Sequence, residues 1–103
     1  MTIVIKDFMV YLIRRILADH LGKQVTRTDL VVEIFGRTRG TGIKPALGPG
    51  WTLNEILRSL ATQEMLELSE EDGTLLITPS LAVEPKKRRE FEEILARATR
   101  AAT

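Results

Sequence analysis

Two stretches of this sequence combine residue types that could hold an anion. Residues 36–50 contain Arg37, Arg39 and Lys44, five of the chain's seven glycines and no acidic residue, so backbone amides and cationic side chains can approach phosphate closely. The stretch is not a nucleotide-binding loop, because Lys44 is followed by Pro45 where Ser or Thr would be needed. The second stretch is Lys86-Lys87-Arg88-Arg89, placed where the last helix is expected to begin. Cations there oppose the helix dipole at about 0.3–1 kcal/mol each, which points to an anionic partner, either nucleic-acid phosphate or the acidic hairpin of a neighbouring subunit. The i,i+4 spacings of Lys86 to Glu90 and Arg89 to Glu93 also allow a solvated, ion-paired face.

Catalytic chemistry has little to draw on. The chain has no cysteine, and its one histidine, His20, lies near a helix end without a second imidazole to share a metal. Glu70, Glu71 and Asp72 cluster on a turn and lack the twelve-residue calcium-loop pattern. Aromatic residues make up 5% of the chain, too few for a base-stacking platform, and Trp51 and Tyr11 read as core or staple residues. The expectation is a non-enzyme with no metal and no cofactor.

These residues need elements to position them. From Ile5 the apolar residues recur as Phe8, Met9, Leu12, Ile13, Ile16, Leu17 and Leu21, one face of a helix that Gly22 would stop. Either Thr2 or Asp7 could cap it, and residues 2–5 could instead form a short strand. A second helix begins at Thr26, with Asp29 closing a capping box and Val25 stapling on Leu30. Leu30, Val31, Ile34 and Phe35 form its buried face, and Gly36 ends it. A third repeats the grammar over 52–66: Thr52 caps, Glu55 closes the box, Trp51 packs on Ile56, and Leu53, Ile56, Leu57 and Leu60 point inward.

After Met65 the period becomes two, with Leu66 and Leu68 alternating with Glu67 and Ser69. Asp72-Gly73 then supplies the turn of a hairpin whose return strand is 74–78, closed by Pro79. A last helix is expected from near Pro85, with Phe91, Ile94, Leu95 and Ala98 on one stripe. That stripe either folds back on helix one or pairs with its copy in a homodimer.

The order helix, short helix, longer helix, hairpin resembles the winged helix-turn-helix superfamily over about residues 3–79, most closely in the run from Ile56 to Leu68. The expected fold is mainly α with a small β-hairpin: a winged-helix domain over 1–80 and an added C-terminal helix over 81–103. The resemblance implies that helix three is the recognition helix, with Met65-Leu66 leading into the wing and Asp72-Gly73 at its tip. The outward residues of that helix are Asn54, Glu55, Arg58, Ser59, Thr62 and Gln63, a set that suits base edges in the major groove and equally suits any solvated helix face.

With 103 residues and 44% hydrophobic content the chain suits one domain, and a net charge of +1 favours neither nucleic acid nor membrane. Charged residues break up the apolar N-terminal stretch, so neither a signal peptide nor a membrane span is expected, and the absence of cysteine fits a cytoplasmic protein. The charge is unevenly spread. Residues 1–50 hold eight Lys/Arg against four Asp/Glu, 51–84 one against seven, and 85–103 six against three. An acidic hairpin should not grip DNA backbone.

Two readings follow. The first is a double-stranded DNA-binding protein, a small transcriptional regulator that reads the groove with Asn54, Arg58, Ser59, Thr62 and Gln63. Its phosphate contacts would come from Arg37, Arg39, Lys44, Lys86, Lys87, Arg88 and Arg89. The second is an interaction module whose acidic hairpin binds a partner protein in a larger assembly.

Overall fold

The structure is a computed structural model that describes residues 5–43 and 53–101, with side chains described through residue 97. The described residues form four α-helices and a three-stranded antiparallel sheet, which α2 and α3 contact directly. Helix α1 (Ile5–Ala18) runs through the core, with Phe8, Met9, Leu12, Ile13, Ile16 and Leu17 fully buried at helical spacing. Asp7 is inside its first turn and is therefore not the cap. The helix also stops short of Leu21. The N–H groups of Asp19 and His20 bond the carbonyls of Ile16 and Leu17, tightening the end into a turn that Gly22 completes at φ +74°.

A two-residue strand, β1 (Val25–Thr26), leads directly into helix α2 (Arg27–Thr38). Thr26 serves both elements: it pairs in the sheet with Leu76, and its hydroxyl accepts the Asp29 N–H at 3.1 Å as the helix cap. Two expectations for α2 need correcting. Gly36 does not end the helix, which continues to Thr38, where a buried hydroxyl donates to the Ile34 carbonyl at 2.9 Å. Phe35 is 53% exposed and is not part of the buried face, which consists of Leu30, Ile34 and Thr38 with Val31 at its edge.

Helix α3 (Leu53–Thr62) buries Leu53, Ile56, Leu57 and Leu60 as expected but is shorter than the span 52–66. Its end is a Schellman arrangement: Glu64 adopts φ +61°, its N–H bonds the Ala61 carbonyl, and the Met65 N–H bonds the Leu60 carbonyl. The cap and staple assigned to Thr52 and Trp51 lie outside the described residues, as do Lys44 and the rest of 44–52.

Strands β2 (Leu66–Glu71) and β3 (Thr74–Pro79) pair from Leu66 with Pro79 to Glu71 with Thr74. Asp72 at φ +52° and Gly73 at +78° form the tight turn between them, as the Asp-Gly pair predicts. Ser80 clamps the base of this ribbon to the end of α3: its N–H and hydroxyl both bond the Met65 carbonyl, at 3.0 and 2.9 Å. The sheet order β1-β3-β2 adds a strand that the sequence reading missed.

A 3-10 turn, Leu81–Val83, and an extended segment 84–88 precede helix α4 (Arg89–Ala101). The last helix thus starts at Arg89, not near Pro85, and Lys86, Lys87 and Arg88 lie ahead of it. Two α1 side chains hold the segment extended. Arg14 donates to the carbonyls of Val83 at 2.9 Å and Glu84 at 3.3 Å, and the Tyr11 hydroxyl accepts the Arg88 N–H at 3.3 Å. Phe91 and Ile94 are buried, and the Phe91 ring meets Phe8 and Tyr11 of α1 at 5.3 and 5.1 Å between centroids. Phe91 of this stripe therefore folds back on helix one, and α4 also packs against α2. Ala98 lies beyond the described side chains.

Candidate nucleic-acid interface

Because α3 buries one side completely, its other side is forced into solvent. Asn54, Glu55, Arg58, Ser59 and Thr62 are all exposed, and so is Gln63, which sits in the turn just past the helix end. From Asn54 to Thr62 this polar face runs about 12 Å along the axis. Its far end is internally braced: the Gln63 amide donates to the Ser59 carbonyl and hydroxyl at 3.1 and 3.2 Å, and the Thr62 hydroxyl donates to the Arg58 carbonyl at 3.0 Å.

Two cations that the sequence reading left out bracket this face. On the Asn54 edge, the Arg27 guanidinium donates to the Asn54 side-chain oxygen at 2.7 Å, fixing the amide outward at the start of the helix. On the opposite edge, Lys6 of α1 shares a shallow pocket with Glu55, Ser59 and Gln63. A signal for both was present. Lys6 and Arg27 stand in the first turns of α1 and α2, where positive charge opposes the dipole, the same argument that singled out 86–89. Nothing local in the sequence shows that both flank α3.

The residues assigned to phosphate contact separate into groups. Lys86 borders an open groove with Lys6, Arg14 and Arg88, next to the α3 face, and Lys87 is exposed beside it. Asp7 and Glu84 line the same groove, so its charge is mixed. Arg88 is engaged within the chain, 4.1 Å above the Phe91 ring and 2.6 Å from the Glu90 carboxylate. That bond, with the Glu90 backbone N–H, holds the Glu90 carboxyl below its ordinary range. Arg89 pairs with Glu93 at 3.4 Å, one of the two i,i+4 contacts the sequence suggested.

Arg37 and Arg39 stand at the other end of α2 from Arg27, about 15 Å along the helix axis. Arg37 is paired with Asp19 at 2.7 Å and ties the ends of α1 and α2 together. Arg39 is exposed at the C-cap. The structure therefore does not bring these two to the α3 face.

His20 lies between two helices, with its Nε2 3.2 Å from both Glu33 carboxylate oxygens. Among the described residues no cluster of three metal-ligating side chains occurs, and no helix is long and apolar enough to cross a membrane. Glu67, Glu70, Glu71 and Asp72 are exposed along the hairpin, and among the described residues none of them forms an ion pair.

Compared with protein-family models, curated proteins and solved structures, the chain gives no significant match.

Proposed function

We propose that this chain is a winged helix-turn-helix protein of the cytoplasm that binds double-stranded DNA and acts as a small transcriptional regulator. The observation that carries the reading is the polar face of α3, rigidly backed by Leu53, Ile56, Leu57 and Leu60 and bracketed by Arg27 on one edge and Lys6 on the other. An α-helix fills the major groove, whose two edges are phosphate backbones, so a polar helix with a cation on each flank matches that target in shape and charge. Asn54, Arg58, Ser59, Thr62 and Gln63 read base edges in this arrangement, Arg27 and Lys6 meet phosphates, and Lys86 and Lys87 extend the positive side.

Fluorescence anisotropy with mixed-sequence duplex across a salt series tests it. The logarithm of affinity should fall linearly with the logarithm of salt concentration, and Arg27→Ala and Lys6→Ala should each reduce the slope by about 1. Arg58→Ala should cost about 1–3 kcal/mol on a preferred sequence and less on a random one. Absence of binding at low salt, or binding indifferent to all three substitutions, would reject the reading.

A second reading draws on the exposed carboxylates of the β2–β3 tip, which suit a basic partner protein better than phosphate. In it the hairpin is the contact surface and α3 a solvated face.

A further inference from the structure

Val32 and Phe35 are the large apolar side chains that α2 leaves in water, 66% and 53% exposed. They are three residues apart, so they lie side by side on the helix surface away from buried Leu30 and Ile34. Gly36 belongs to the same stripe and is unexplained by the monomer: it weakens an exposed helix, and a side chain there would meet nothing within 4 Å. A second backbone coming close against the stripe would account for the glycine and for both apolar residues.

We propose that this stripe seats against the same stripe of a second copy of the chain, the two α2 helices running antiparallel about a two-fold axis near residue 34. The charges at its ends select that occupant. Asp29 in the first turn and Arg39 at the C-cap are both exposed, and among the described residues neither forms an ion pair. A two-fold axis between them sets Asp29 of each copy against Arg39 of the other and Val32 against Gly36, and each contact occurs twice. Antiparallel helices also place opposite dipole ends together. Phe91 and Ile94 of the α4 stripe, by contrast, are already buried within the chain, where α4 meets α1 and α2. A contact confined to one helix is at the small end of specific interfaces, so the dimer is weak, with a dissociation constant on the order of 100 μM.

Sedimentation equilibrium from about 10 μM to about 1 mM reads this directly. The expected result is a reversible monomer–dimer equilibrium that Phe35→Glu weakens by about tenfold or more. Asp29→Arg and Arg39→Asp should each weaken it, and the double variant D29R/R39D should restore it, because the pair is re-formed with its signs exchanged. A monomer at every concentration, a dimer indifferent to Phe35→Glu, or a double variant no better than the single ones overturns the proposal. None of these outcomes depends on whether the chain binds DNA.

Discussion

Tyr11 is the residue where three elements meet. Its ring packs on Phe91 of α4, while its hydroxyl accepts the Arg88 N–H and so fixes the point at which the extended segment turns into helix. Burial, more than any other influence, pushes its pKa up; the Arg88 N–H works against this, and the neighbouring Glu92 carboxylate reinforces it. A phenol whose folded pKa lies above its unfolded value of about 10 contributes stability that is complete below that pH and is lost as pH rises through the folded value. Tyr11→Phe keeps the ring and removes both the hydrogen bond and the titration. The variant should therefore be about 1 kcal/mol less stable at neutral pH and should lose less stability than the parent above about pH 10. Urea midpoints measured across that range check both parts, and a parallel alkaline decline in the two proteins would show that Tyr11 does not titrate on unfolding.

The junction between α3 and the hairpin decides whether the helix presents a face or merely ends. Glu64 makes that junction in the left-handed region at φ +61°, a position that glycine takes at no steric cost and other L-residues pay about 1–2 kcal/mol to occupy. Glu64→Gly relieves the strain but enlarges the unfolded ensemble, so the net expected gain is about 0.5–1 kcal/mol, read as a higher urea midpoint at unchanged slope. The sequence made this junction half visible. The change of period at Met65 marks where helix gives way to strand, and Asp72-Gly73 marks the turn, because both signals are local. The same holds for the buried faces of α1 and α3, where apolar spacing and burial are two views of one helix. What escaped depends on contacts far apart in the chain. Strand β1 is two residues long and exists because β3 passes beside it. Helix α4 starts late because Arg14 and Tyr11 grip the backbone ahead of it, overriding Pro85 as a starting residue. Helix α2 continues past Gly36 because Thr38 is buried and Arg37 is held by Asp19. The polar face of α3 was legible for the same reason as its core face, whereas the unfavourable placement of Arg27 and Lys6 against the helix dipoles is local but their position on either side of α3 is tertiary.

Across the whole molecule, charge is unevenly distributed along the chain. Residues 51–84 carry one Lys/Arg against seven Asp/Glu, and the β2–β3 tip concentrates Glu70, Glu71 and Asp72 in solvent, on the ribbon that grows directly from α3. A duplex seated on α3 would bring its phosphates toward that ribbon, where carboxylates repel them; the repulsion is long-ranged at low salt and screened within about 10 Å at 0.1 M. Changing Glu70 and Glu71 to Lys and Asp72 to Asn inverts the tip, and Asn keeps the turn because, like Asp, it tolerates the positive φ that residue 72 adopts. If α3 is the groove-reading helix, this triple variant should bind random duplex about tenfold tighter or more at low salt, and the gain should shrink as salt rises, since new phosphate contacts steepen the salt dependence. If the hairpin is instead the surface that meets a basic partner, the variant should lose that partner while its interaction with duplex stays unchanged. Anisotropy titrations of parent and variant over one salt series therefore separate the two readings: duplex affinity rises under the first and stays unchanged under the second. A tip reversal without effect on duplex at any salt would reject α3 as the groove-reading helix.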